Sequence, residues 1–138
     1  MTTDFLEGMQ IAEYPLDIEI SSRVILSGLK FNGSVLEVEL VANNESGSKY
    51  CIYDDSAISF CCSEESERYA FVAAIRRRAK FAAAVIELIR DGGWRSQIGE
   101  SAFSDGPMIR RFLIFTSNYL VDVMSLDSPK AFQLQPIK

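Results

Sequence analysis

At 138 residues, 48% of them hydrophobic, the chain holds enough apolar side chains for one ordinary core and has no room for a second domain, so neither a metal nor a disulfide framework is needed for stability. It contains no histidine, which excludes Ser-His-Asp and Cys-His nucleophile pairs, histidine-containing zinc sites and imidazole as a general base near neutral pH. The formal net charge of −5 is unevenly divided: residues 1–68 carry 13 acidic and 4 basic side chains (net −9) and residues 69–138 carry 6 acidic and 10 basic (net +4). Such a division predicts an acidic patch, which disfavours nonspecific DNA binding and steers a basic partner.

The N-terminal residues Met1-Thr2-Thr3-Asp4-Phe5-Leu6-Glu7 have no basic start and no apolar core of signal-peptide length. No later run reaches the roughly 20 apolar residues of a membrane span. Cysteines 51, 61 and 62 form an odd set, which fits a reduced compartment better than a secreted disulfide scaffold. The expectation is a soluble protein of the cytoplasm.

In chain order, residues 4–12 read as a short helix capped by Thr3 or Asp4 and ended by the Tyr14-Pro15 step, since the residue before proline avoids helical geometry. Leu16, Ile18 and Ile20 then alternate with Asp17 and Glu19 as in a half-buried strand. A strand over Val24–Phe31 leads through Asn32-Gly33, a two-residue hairpin signal, into Ser34–Ala42. The polar stretch 43–48 is a loop, and Lys49–Tyr53 with Ala57–Cys62 reads as a second hairpin around Asp54-Asp55-Ser56. The first half is therefore expected to be an antiparallel meander.

Ser63 followed by Glu64, Glu65 and Glu67 resembles a helix start, and Gly92-Gly93 a stop. The stripe Val72, Ile75, Ala79, Ala82, Ile86, Ile89 predicts one long helix over about 64–91. Residues 92–107 show no period and read as a long loop, either functional or mobile. Met108–Thr116 is an apolar β-rich run. Tyr119–Met124 is either its hairpin partner around Ser117-Asn118 or, over 118–126, a short helix, and Ala131–Leu134 is an edge strand. The predicted class is α+β: an antiparallel β-meander packed against one long helix, with further C-terminal strands, in a single domain over 1–138.

Several groups invite a functional reading beside a plainer one. The Cys61-Cys62 pair suggests a soft metal or redox chemistry, but consecutive strand residues point to opposite faces, and no histidine completes a zinc site, so ordinary buried or half-buried thiols are expected. Glu37 and Glu39, about 6.5–7 Å apart along one strand face, are either its solvent side or an acidic docking patch, and less readily a catalytic or cation-binding pair. Of the run 76–80, Arg76, Arg77 and Lys80 fan across the polar arc of the predicted helix, which argues for solvation over nucleic-acid binding. Arg78 falls on the apolar arc, so it must snorkel, form an ion pair or line a pocket. Trp94 with Arg95, and Phe103 beyond, have the composition of an interface anchor or of a loop that tucks its aromatics into the core. There is no nucleophile elbow, phosphate loop or dinucleotide fingerprint.

No stretch matches a family motif. Small size, acidity and the lack of a catalytic constellation are properties shared with small inhibitor and immunity proteins, which is an analogy of properties and not of sequence. The first expectation is accordingly a binding protein, without cofactor or metal, that occludes a basic protein partner such as a toxin or nuclease through Glu37, Glu39, Asp54, Asp55, Trp94 and Arg95. The alternatives are a small-molecule site or histidine-free enzyme with a pocket around Arg78, and a subunit of an assembly, such as a homodimer through an apolar Met108–Met124 face. Neither nucleic acid nor membrane is an expected partner.

Overall fold

The computed structural model describes residues 9–16, 18, 20, 23–43, 47–78, 84–90 and 109–134, the side chains of 65, 67 and 78 excepted. Its strands are β1 (Met9–Glu13), β2 (Val24–Asn32), β3 (Val35–Ala42), β4 (Lys49–Asp54), β5 (Ala57–Glu64), β6 (Val85–Arg90), β7 (Arg110–Phe115), β8 (Tyr119–Ser125) and β9 (Lys130–Leu134). One helix, α1 (Tyr69–Arg78), follows a 3-10 turn over Glu65–Arg68. All pairings are antiparallel: a five-stranded sheet in the order β1-β6-β7-β8-β5 and a four-stranded sheet in the order β2-β3-β4-β9.

Strand alternation explains how these parts stack. Phe112 and Ile114 of β7 and Val121 and Val123 of β8 join Leu36, Val38, Leu40 and Ile52 of the four-stranded sheet in one core between the sheets. The alternate residues Leu113, Phe115, Leu120 and Met124 face the other way and pack against Val72 and Ile75 of α1. The five-stranded sheet is thus covered on both faces, and β7 and β8 read as near-continuous apolar runs because neither face meets water. The apolar side chains of β7 and β8, on which a homodimer face was expected, are largely buried inside the chain.

The long helix predicted over 64–91 is not present. Regular helix stops being described at Arg78, and Val85–Arg90 is a strand between β1 and β7. Ile86 and Ile89 continued the helical stripe in phase, but the run equally satisfies a period of two, with Ile86 and Leu88 facing α1 while Val85 faces the inter-sheet core. A short apolar run cannot distinguish these periods, and partners on both sides decide it. Ser63 is likewise no helix cap, since β5 runs through it to Glu64 and pairs it with Leu120.

Three further expectations change. The part of the predicted helix 4–12 that is described is strand β1, paired with β6 from Met9; residues 1–8 lie outside the described residues. Residues 14–20 are not a strand where described: Tyr14 N–H donates to the Val85 carbonyl and Ala84 N–H to that of Ile20 as the chain crosses the sandwich edge, and Tyr14, Leu16, Ile18 and Ile20 pack on the core. The step between β4 and β5 is no hairpin. It is a corner where the chain leaves the four-stranded sheet for the five-stranded one, so β5 pairs with β8.

Other expectations stand. β2 and β3 form the predicted hairpin, although its two-residue turn is Gly33-Ser34, one position on, with Asn32 paired to Val35. Gly33 takes φ +68 and Ser34 does not turn positive, as glycine at the first central position of a type II′ turn provides. β7 and β8 form a hairpin, excluding the short helix, and β9 is an edge strand against β4.

Arg110 and Arg111 open β7 and, being consecutive, point to opposite faces. Each meets an acid on a neighbouring strand. Arg110 donates to Glu87 of β6 from Nε (2.9 Å) and Nη2 (2.8 Å), which holds its guanidinium above the ordinary value. On the α1 side, Arg111 Nε donates to Asp122 of β8 at 2.9 Å and Nη2 donates to its second oxygen. Arg68 approaches the same carboxylate at 3.8 Å, and both arginines lie against the Phe71 ring, at 4.7 Å for Arg68 and 5.7 Å for Arg111. This cluster fastens the 3-10 turn and the start of α1 to the sheet.

The Arg111 and Asp122 side chains are only 12% and 11% exposed, so removing one leaves a charge that solvent does not compensate. Asp122→Ala is expected to lower the unfolding free energy by about 3 kcal/mol. The double variant Arg111→Met/Asp122→Leu should recover most of that loss, both read by urea denaturation.

Candidate binding face

With α1 on one side of the sandwich, the outer face of the four-stranded sheet is the broad surface without a covering element among the described residues. Its composition follows from register. Glu37 pairs with Lys30 on β2 and Tyr53 on β4, Tyr53 with Lys130 on β9, Glu39 with Gly28 and Cys51, and Cys51 with Phe132, so all of these side chains share one face. Leu36, Val38 and Leu40 alternate with the glutamates and are buried beneath them.

Glu37 and Glu39 lie on β3, an interior strand hydrogen-bonded on both sides, and are half-buried. Glu39 extends across β2: its Oε2 lies 3.1 Å from where a Cβ on Gly28 would stand. Gly28 sits beside an irregularity in the β2/β3 register, and its missing side chain gives the carboxylate its place. Lys30 and Lys130 are exposed, and Phe132 is 47% exposed. The face therefore has acids at its centre, lysines towards its edges and an aromatic ring open to solvent.

Cys51 is 4% exposed between the glutamates. Burial, then the charges of Glu37 and Glu39, push its thiol up. It stays protonated at neutral pH and is a poor nucleophile. Cys61 and Cys62, expected to be buried or half-buried, are exposed, because β5 is an edge strand of its sheet, and Cys61 Sγ lies 3.6 Å from Ser63 Oγ. Among the described residues no three His, Cys, Asp or Glu side chains are grouped to hold a metal ion.

The expected acidic turn divides in two. β4 extends to Asp54, and its pairing with the inward Leu36 turns it into the interior, leaving it 3% exposed. Asp54 cannot be a surface contact. Its Oδ1 accepts from Ser56 N–H (2.9 Å) and from the buried Ser125 hydroxyl (2.8 Å), which latches the corner between the sheets to the end of β8. Asp55 is exposed and accepts from Ser56 Oγ at 3.2 Å. Arg76 and Arg77 are exposed on α1. Trp94, Arg95, Phe103 and Lys80 lie outside the described residues, and of Arg78 only the backbone, at the end of α1, is described.

Lys30, Tyr53, Lys130 and Phe132 were not singled out in the sequence. The parity of β4 and β9 relative to Glu37 marks Tyr53, Lys130 and Phe132 once the strand order is known, and the observed register of the β2–β3 hairpin marks Lys30; strand order and that register are what the sequence lacked. Comparison with protein-family models, curated proteins and solved structures yields no match to this chain.

Asp54 Oδ2 has no hydrogen-bond partner among the described residues, and the carboxyl borders a void of about 10 Å³ lined by Leu36, Val38, Ile52, Phe112, Ile114, Val123 and Pro129. One polar group in so small an apolar void is too little to hold water. Burial pushes the Asp54 carboxyl up, against the bonds from Ser56 and Ser125. The folded protein therefore holds this proton more tightly than the unfolded chain. The resulting stability is complete below an ordinary aspartate value of about 4 and is lost as pH rises through the raised folded value. Asp54→Asn keeps the Oδ1 acceptor and removes the charge, so its stability relative to the parent should increase as pH rises from 4 to 8 in urea titrations. A difference independent of pH would contradict this assignment.

Proposed function

We propose that this protein is a binding module that occludes one basic protein partner on the outer face of its four-stranded sheet, in the manner of an inhibitor or immunity protein. The observation that carries the reading is the placement of Glu37 and Glu39 on an interior strand at the centre of an uncovered face, flanked by Tyr53 and Phe132. Carboxylates on a hydrogen-bonded strand are already positioned, so little ordering is required on binding. The exposed Phe132 ring and the half-buried Tyr53 beside them supply apolar contact.

The charge pattern also describes the partner. Lys30 and Lys130 edge the face around the two acids, so the complementary surface has basic residues at its centre and acids around them. The acidic first half of the chain supplies long-range attraction, and the local pattern supplies register. Asp55 extends the acidic contribution at the corner after β4. The compartment expected for this activity is the cytoplasm. Among the described residues, no helix is long and apolar enough to cross a membrane.

With the native partner, Glu37→Gln/Glu39→Gln should weaken binding by about 100-fold or more, as truncating charges at the centre of an interface does. It should also flatten the dependence of the association rate on salt. Surface plasmon resonance at two ionic strengths, with circular dichroism to verify folding, checks both. Unchanged affinity in the folded double variant would sink the proposal.

A further inference from the structure

A second site lies away from the sheet face, where β5 ends and the β7–β8 turn comes up beside it. Glu64, Ser66, Tyr69, Ser117, Asn118 and Tyr119 line an open cleft of about 530 Å³, inside the range of about 300–1,000 Å³ of small-molecule sites. We propose that this cleft binds a neutral sugar.

Its base is rigid. Ser117 N–H donates to the Val24 carbonyl at 2.7 Å, and Leu26 N–H donates to Asn118 Oδ1 at 3.1 Å, so the turn is bonded to β2 of the other sheet. Beneath it, the buried Thr116 hydroxyl accepts from Tyr119 N–H at 2.8 Å and lies 2.7 Å from the Tyr119 carbonyl and 2.9 Å from Asn118 Oδ1. These bonds fix which end of the Asn118 amide is oxygen. With Oδ1 occupied, the amide presents its Nδ2 hydrogens, which have no protein acceptor among the described residues. Glu64 pairs with Tyr119 across β5 and β8, so a carboxylate acceptor and a phenol stand side by side. Tyr69, 73% exposed at the start of α1, presents an open ring.

The donor and acceptor set selects the ligand class. The lining holds an oriented N–H donor, a carboxylate acceptor, two phenols and two serine hydroxyls, and among its described residues no cation to favour an anionic ligand. A cationic head would find acceptors but would be opposed by the Asn118 N–H groups. Neighbouring hydroxyls on a sugar ring both accept and donate, so one accepts from Asn118 while another donates to Glu64. The Tyr69 face, electron-rich at its centre, suits the polarised C–H groups of a pyranose.

The test is a titration of the full chain, followed in nitrogen–proton spectra, with glucose, galactose, mannose, N-acetylglucosamine and their disaccharides up to ~10 mM, sufficient for millimolar binding. Arginine methyl ester and inorganic phosphate serve as charged probes. The expected result is a saturable shift of the Asn118 side-chain NH2 and the backbone amides of 117–119 with at least one neutral sugar. Tyr69→Ala, at a position too exposed to support the core, should weaken that binding about tenfold, and Glu64→Gln should weaken it as well. The proposal is overturned if no neutral sugar gives a saturable shift, if the shift survives Tyr69→Ala unchanged, or if a charged probe saturates the cleft in preference to every sugar.

Discussion

The structure depends on one constraint: β7 and β8 are apolar on both faces and must be covered twice. Fully burying one side chain such as Phe112, Leu113, Phe115 or Val121 contributes on the order of 1.5–3 kcal/mol, and these strands bury many. No surface ion pair competes with that, being worth about 0–1 kcal/mol. The two covers are different elements. α1 supplies Val72 and Ile75 on one side, and the four-stranded sheet supplies Leu36, Val38, Leu40 and Ile52 on the other. Once both are in place, the outer face of the four-stranded sheet remains, among the described residues, a broad surface without a covering element.

The same constraint decides where polar groups go. Two consecutive arginines at the start of a doubly covered strand necessarily enter both layers, and each is matched by an acid on an adjoining strand. Arg111 and Asp122 tie down the 3-10 turn and α1 through Arg68 and Phe71. Glu87 receives Arg110, whose guanidinium lies 5.0 Å from the Phe112 ring and 5.8 Å from that of Tyr14. Asp54 is held at the corner between the sheets by Ser56 and Ser125. These inner polar groups fasten strands and layers to one another, whereas the half-buried acids of β3 have no layer over them among the described residues.

Much of this was legible in the residues, and the errors share a cause. The strands β2, β3, β4, β7, β8 and β9 follow from alternation, β-rich composition and turn chemistry, all of which are local. Helix and strand were confused at Val85–Arg90 because a short apolar run fits both periods, and only pairing with β1 and β7 distinguishes them. The β4–β5 corner was read as a hairpin because turn residues do not say whether the next strand stays in the same sheet. That error carried Asp54 to the surface, whereas Glu37 and Glu39 could be placed from their own strand alone. The cleft beside Tyr69 had no local signal at all, since it is assembled from the end of β5, the start of α1 and the β7–β8 turn.

The central claim is that the uncovered sheet face is the working surface, and its own lysines offer a direct way to examine it. Lys30, Lys49 and Lys130 all stand on that face, by their pairing with Glu37, Val41 and Tyr53. Amine-reactive cross-linking of the protein in complex with its native partner, read by mass spectrometry, reports which lysines lie at the contact. The account predicts intermolecular links from Lys30, Lys49 and Lys130, diminished when Glu37 and Glu39 are replaced by glutamine. Links confined to lysines elsewhere in the chain, with these three freely modified by reagent in the complex, would contradict it.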